Sequence, residues 1–471
     1  MEKKIVFWNL IVAMVAQTVS LILSFLISFV VPKILDVEAY SYWQLFIFYI
    51  TYVGFFHFGI NDGVYLKYGG MNLNEMDKNL VSGQFKILIL IQLTLIAIAL
   101  PVIGISGMEI ERCMVWLFVL LYMFVFNLSN FLAYIFQAAN LTKWYSYSVI
   151  LDKLFFMAAV FFLLLIKNEK FEIYIFFYVC GKSLCLVYCI IKGHALIFHK
   201  CKDRKLILEE LKNSISVGIK LTLSSMASML ILGIGRFVID SHWGILIFGK
   251  ISFALSLTTF ILAFIQQISM VFFPILRRVE DKKQLQIYQM MRAFCFFIMP
   301  LIYIAMIPGK MFIEMWLPQY SESVYYLGVL LPICIFDAKM NMIFNTFFKA
   351  LRKEKDLLKV NIISFCLSTI LSFVGAYIFN SYWVVIISMV FSVMFRSIIS
   401  ERKVNSFLNF NSFRQIIYEI FFAVIYITAS IFDISILWSL LIFIVIYVLE
   451  ILVYRKDFFS FVCEFKSLIK K

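Results

Sequence analysis

Apolar runs recur along this 471-residue chain, each about 18 to 25 residues long and separated by short polar stretches. Wound as a helix at about 1.5 Å per residue, a run of that length crosses roughly 30 Å of hydrocarbon. A β-barrel strand needs about half the length and alternates in polarity, which these runs do not. The chain holds 53 Phe against 7 Pro and 18 Gly, a bias toward uninterrupted helices packed through large side chains. With 63% hydrophobic and only 15% charged residues, it lacks the charge to keep a folded surface in water. The expected fold class is all-α and polytopic, with lipid as the main solvent.

Hydropathy predicts about fourteen transmembrane helices, over 9–32, 43–63, 84–106, 114–138, 145–166, 173–192, 214–236, 244–274, 290–309, 324–348, 358–379, 381–400, 415–432 and 434–454. The pairs meeting at Asn380 and Asp433 are joined tightly enough to be hairpins; a re-entrant hairpin would lower the count toward twelve. The first run begins near Trp8 and precedes many others, so it reads as a spanning helix rather than a cleaved signal. Nine cysteines are scattered, most of them inside apolar runs (Cys180, Cys185, Cys189, Cys295, Cys334, Cys366), with no metal-ligand spacing or disulfide framework.

A net charge of +14 would suit a nucleic-acid partner if the basic residues formed one patch, but they sit between apolar runs and at the ends. With the N-terminus inside, 31 Lys and Arg fall on inner segments or inner helix ends, among them Lys192, Arg204, Lys212, Arg292, Arg352, Arg396 and Arg414. Six fall outside: Lys33, Arg112, Lys167, Lys170, Arg236 and Lys310. That asymmetry predicts both termini on the cytoplasmic side, with no nucleic-acid partner.

The basic segment from Lys192 to Lys212 separates two sets of six helices that resemble each other weakly. Trp43 and Trp243 each follow a short outer loop after the first helix of a set. Asp62, Lys67, Asp77 and Lys78 end the second helix of one set as Arg277, Arg278, Glu280, Asp281, Lys282 and Lys283 end that of the other. Six being even, the halves are parallel repeats that can rock about a central cavity, which makes a transporter the natural class. The expected organisation is an N-terminal six-helix lobe over 1–200, a second over 201–405, and two further helices with a basic cytoplasmic tail over 406–471.

Five lysines stay inside the runs: Lys153, Lys182, Lys220, Lys250 and Lys339. A charge at a helix centre costs at least about 2.5–3.5 kcal/mol on insertion scales, so such groups face a wet cavity, pair internally or snorkel. Lys250, Lys220, Lys182 and Lys339 are the candidates for substrate contact, while Lys153 has Asp152 beside it. The acids counted within the runs are few (Asp62, Asp152, Asp337), so the expected cavity is electropositive and suited to a phosphate or pyrophosphate headgroup. Polar residues that could serve a sugar are Gln17, Ser24 and Ser28 on one helix face, His57, Asn61 and Asp62, Gln266 and Gln267, and Asn341 with Asn345. Helix-to-helix hydrogen bonding explains each of them equally well. Arg236, Asp240 and His242 read as a solvated outer loop.

Catalytic signatures are missing. Gly233-Ile234-Gly235 lacks a third glycine and a preceding strand, no Walker sequence occurs, and the histidines (His57, His194, His199, His242) form no HExxH pattern. The reading is therefore not an enzyme, with energy drawn from a gradient, the substrate's own disequilibrium or a partner.

Certain segments resemble the polysaccharide biosynthesis flippases, the lipid-linked oligosaccharide exporters of the multidrug/oligosaccharidyl-lipid/polysaccharide superfamily. They are Phe29-Val30-Val31-Pro32-Lys33-Ile34-Leu35 with Ala39-Tyr40-Ser41-Tyr42-Trp43, Phe58-Gly59-Ile60-Asn61-Asp62-Gly63, and Phe136-Gln137-Ala138 before a basic loop. The similarity spans residues 5–405; where that family commonly has a glycine in the first outer loop, this chain offers Asp36 or Glu38. The resemblance implies two six-helix bundles in a MATE-like arrangement, moving an undecaprenyl-pyrophosphate-linked oligosaccharide to the outer leaflet of a bacterial cytoplasmic membrane. It implies membrane lipids as surroundings and leaves room for a polysaccharide polymerase as partner. It also implies pyrophosphate contact by Lys250, Lys220, Lys182 or Lys339. No cofactor is expected; sodium or proton coupling is compatible, with no residue assigned. A related multidrug exporter and a membrane-embedded glycan polymerase or ligase remain alternatives, the first needing buried acids and the second a large outer loop.

Overall fold

The computed structural model describes residues 2–199, 203–278, 281–432 and 434–469, with the side chains of 12, 14–199, 203–265, 284–432 and 434–463. Lys200, Lys202, Glu280, Asp433, Lys470 and Lys471 lie outside the described residues, as do the side chains of Lys3, Lys4, Trp8, Gln266, Gln267, Arg277, Arg278, Asp281, Lys282, Lys283 and Lys466.

Among the described residues every regular element is helical. The chain begins with α1 (Glu2–Phe25), which passes through a π-turn (Leu26–Val30) into α2 (Val31–Ile34). Then come α3 (Val37–Ile50), a 3-10 turn (Val53–His57), α4 (Ile60–Tyr68), α5 (Lys78–Ile105), α6 (Ile110–Ala138), α7 (Thr142–Leu165), α8 (Phe171–Ile197) and α9 (Arg204–Trp243). The remainder runs α10 (Ile245–Arg278), α11 (Asp281–Ile298), α12 (Leu301–Trp316), α13 (Ser321–Leu330), α14 (Pro332–Lys339), a π-turn (Met340–Phe344) and α15 (Asn345–Ala350). It ends with α16 (Glu354–Phe373), α17 (Tyr382–Leu408), α18 (Phe413–Ile431), α19 (Ile436–Val453) and α20 (Arg455–Ile469). Among the described residues twelve helical stretches are long and apolar enough to span a membrane, and up to fourteen if each of two bent helix pairs is one span, so this is a multi-pass membrane protein.

Acids at the helix starts explain two of the boundaries. Asp36 accepts a hydrogen bond from the Ala39 N–H (2.7 Å) to open α3, and Asp77 accepts from the N–H groups of Asn79 (2.9 Å) and Leu80 (3.3 Å) to open α5.

Two compact units form, Met1–Met226 and Ala227–Lys471. The division falls inside α9, and the helices beyond 405 belong to the second unit. Within the first unit α6 is central: 61% of its apolar window is buried against 11% for α5, whose Ile98, Val102 and Ile105 face outward. Phe131, Ile135 and Phe136 of α6 meet Leu88 of α5 and Cys189 of α8 in one apolar core. In the second unit α17 is as buried as α6, whereas α19 is 17% buried and presents Leu437, Leu452 and Val453. Lipid is as apolar as these side chains, so the outward faces carry no penalty.

The structure corrects the expected helix limits in four places. The basic connection 192–214 is mostly helix, because α8 continues to Ile197 and α9 starts at Arg204. At about 1.5 Å per residue the 40 residues of α9 reach about 60 Å, well beyond hydrocarbon thickness, so its polar start stands clear of lipid. Arg236, Asp240 and His242 are therefore helical and not an outer loop, with His242 hydrogen-bonded to Asn380 Oδ1 (2.9 Å). The tail after 455 is an amphipathic helix, whose Phe458 and Phe461 pack on Phe297 of α11.

The fourth correction concerns the continuous helices expected over 43–63 and 324–348. The first is broken between His57 and Ile60 with a bend of 60°, and the second at Leu331 with a bend of 45°, where Pro332 supplies no N–H. At the first break Phe58 and Gly59 take left-handed backbone angles (φ 51° and 85°). A break inside a span frees backbone groups that hydrocarbon cannot satisfy, so side chains must do it. Gln92 donates to the Phe56 carbonyl (2.8 Å), and Asn127 donates to the Val53 carbonyl (3.0 Å) and to Gln92 Oε1 (3.1 Å). The Gly59 N–H donates to His57 Nδ1 (3.0 Å). Asn127→Leu takes the donor from the buried Gln92 Oε1, and we expect a loss of about 1–3 kcal/mol, read as a lower unfolding midpoint in detergent. An unchanged midpoint would show that the amide does not hold the break.

Candidate functional site

Charged and polar groups inside the spans fall into distinct sets in each unit. In the first, Lys182 of α8 lies 3.6 Å from Asp152 of α7, with its ammonium 5.1 Å from the centroid of the Phe126 ring. Lys153 is part-buried beside the same carboxylate. Asp62 of α4 accepts a hydrogen bond from Thr222 of α9 (2.6 Å) and stands 3.9 Å from His57 Nε2. Asn61 is fully buried and donates to the Asn127 carbonyl (3.1 Å), so it ties α4 to α6. Gln17 is part-buried on α1. Lys220 of α9 is exposed and forms no ion pair among the described residues.

In the second unit, Lys250 of α10 is ion-paired with Glu322 of α13, which also accepts from the Tyr326 hydroxyl (2.5 Å). Arg396 of α17 pairs with Asp337 of α14 and donates to Ser228 Oγ (2.5 Å). Asn341 donates to Asp337 Oδ2 (3.0 Å), and Asn345 to Asn341 Oδ1 (3.1 Å). Lys339 is 1% exposed and donates to both Glu401 and Glu419 at 2.6 Å. Arg292 of α11 donates through Nε to the same Glu401 (2.6 Å), and its Nη1 lies 2.9 Å from Glu419. Ser412 donates to Glu401 as well (2.5 Å). Two cations and two carboxylates thus pair in a cluster joining α11, α14, α17 and α18, with the buried Glu450 of α19 close to Arg292 and Glu419.

For most of the lysines inside the spans, internal pairing is the option the structure takes. Three of the four candidate lysines carry a carboxylate, and Lys339 is sealed inside a structural cluster, leaving Lys220 exposed. Arg292 and Arg396, counted among the inner basic groups, are 1% and 3% exposed. The acids within spans also include Glu419 and Glu450, and Glu401 sits just past the expected end of its run. Sequence reasoning missed these because each basic residue was weighed against its chain neighbours.

The family described as "Polysaccharide biosynthesis protein" matches residues 6–280. The chain belongs to that family. No curated protein sequence matches it closely enough to count as a relative. Among solved structures, this member of the polysaccharide biosynthesis family is similar to "Lipid II flippase MurJ, inward closed conformation". The TM-score is 0.69 at 12% identity, over 96% of this chain and 99% of that one. It is also similar to an inward-facing multidrug resistance MATE family transporter of the MOP superfamily, with a TM-score of 0.59 at 13% identity over 85% and 98%. A third likeness, at TM-score 0.51 and 12% identity over 85% and 94%, is to a MOP superfamily transporter from Pyrococcus furiosus whose description cites a binding pocket of reversed polarity. At these identities the likeness shows that the family member has the MurJ/MATE-like fold.

Proposed function

We propose that this protein carries an undecaprenyl-pyrophosphate-linked oligosaccharide from the inner to the outer leaflet of a bacterial cytoplasmic membrane, by alternating access. Membership of the polysaccharide biosynthesis family on a chain with the MurJ/MATE-like fold is the observation that carries this reading. Both termini are placed in the cytoplasm on the charge asymmetry, and the driving force is assigned to a sodium or proton gradient. Lys220 is the proposed pyrophosphate contact, because an exposed ammonium with no protein carboxylate keeps its charge available to a phosphate. Lys250 and Lys182 would have to exchange Glu322 and Asp152 for the headgroup first. A multidrug exporter of organic cations is the weaker reading, since Glu401 and Glu419 are already neutralised by Arg292 and Lys339.

The test places purified protein in vesicles holding the lipid-linked glycan on one leaflet and measures its exposure on the other. A charge-assisted contact of about 1.5–3 kcal/mol corresponds to a rate loss of about 10- to 150-fold in Lys220→Ala. Vesicles in which the unaltered protein leaves the glycan where it started would reject the flippase reading. Normal rates in Lys220→Ala would reject only the headgroup assignment.

A further inference from the structure

We infer that Asp337, Asn341 and Asn345 form a carbohydrate-recognising stripe for the sugar part of the cargo, an assignment that rests on the proposed function. From Pro332 to Phe348 every side chain is buried except three, and those three are Asp337, Asn341 and Asn345. Residues four apart on an α-helix are offset by about 40°. The π-turn Met340–Phe344 winds less per residue, offsets that drift and keeps the three in one line. They are joined head to tail by the side-chain hydrogen bonds from Asn345 to Asn341 and from Asn341 to Asp337.

A part-exposed polar line on an otherwise buried spanning helix is costly against hydrocarbon, so it faces water or a ligand with hydrogen-bonding groups. Charge narrows the ligand class. The Asp337 carboxylate is neutralised by Arg396, which Ser228 also engages, so the stripe offers no net charge to attract an ion. What remains is a row of amide donors and acceptors beside a carboxylate, the set that pairs with vicinal hydroxyls. Asn345 ends the row and donates to Asn341, which leaves its amide oxygen best placed to meet a sugar.

The experiment compares two cargoes in vesicles containing the full chain: the lipid-linked glycan extracted from membranes of the producing cell, and undecaprenyl pyrophosphate bearing no sugar. In Asn345→Leu the full glycan should move about tenfold more slowly, the equivalent of one or two lost hydrogen bonds, while the sugar-free lipid moves at the unaltered rate. Retained movement of the small cargo also shows that the variant is folded. Equal rates for both cargoes in variant and unaltered protein would overturn the inference and leave the flippase reading standing. Loss of both cargoes in Asn345→Leu and in the milder Asn345→Ser would assign this side chain to the packing of the span, which also overturns it. Failure of the unaltered protein to move either cargo would reject both readings.

Discussion

Glu401→Gln is expected to destabilise the second unit by about 3–5 kcal/mol, among the largest losses for any single polar substitution in the chain. Glu401 is 0% exposed and accepts hydrogen bonds from Arg292, Lys339 and Ser412 at once. Removing its charge leaves two buried cations facing the single carboxylate of Glu419. Both cations are 1% exposed, so the desolvation of the surplus charge is left largely uncompensated. Adding Lys339→Met restores the balance of one cation to one acid, and the double variant should recover part of the loss. Thermal unfolding of the detergent-solubilised protein measures both. A single variant that melts with the unaltered protein would show the cluster to be dispensable. The same reasoning bears on transport: Lys339→Ala should fail through instability, whereas Lys220→Ala should fail with its melting curve intact.

Gly218→Ala should be nearly as damaging in the first unit, although it adds one methyl group. A Cβ at 218 would stand 1.9 Å from the Gly59 carbonyl oxygen and 2.6 Å from the Gly63 nitrogen, and both neighbours are backbone. Across the same contact, a Cβ at Gly63 would lie 2.1 Å from the Ser214 carbonyl oxygen. Small residues four apart, Gly59 with Gly63 and Ser214 with Gly218, let α4 and α9 touch main chain to main chain. No rotamer change relieves a clash with backbone, so the helices must separate. Separation also stretches the Thr222 to Asp62 hydrogen bond (2.6 Å) and the Lys67–Glu210 ion pair (2.6 Å). We expect about 3 kcal/mol, the upper end for overpacking. Gly104→Ala, where a Cβ meets nothing within 4 Å, should be neutral or slightly stabilising. Comparable melting of the Gly218 and Gly104 variants would mean that α4 and α9 are held together otherwise.

The spans were legible because bilayer thickness imposes itself on composition: an apolar run long enough to cross lipid has few other uses, and the structure has, among the described residues, twelve to fourteen candidate spans where fourteen runs were read. The hairpin at Asn380 was legible for the same reason, since helices of full length flank it. The breaks were hidden. Phe55, Phe56 and Phe58 are as apolar as the helix around them, and the groups that make a break tolerable, Gln92 and Asn127, come from α5 and α6.

For the site, the sequence alone determined which residues carry charge or hydrogen-bonding capacity inside the spans, and its apolar runs determined that lipid surrounds them. Tertiary structure alone decided which of those charges remain available. Lys339 meets acids 62 and 80 positions away, and Arg292 meets one 109 away, distances over which helical periodicity carries no information. Attraction between charges acts through space and strengthens where water is excluded. Of the four lysines singled out inside the spans, the fold pairs Lys182, Lys250 and Lys339 with its own carboxylates and leaves Lys220 exposed.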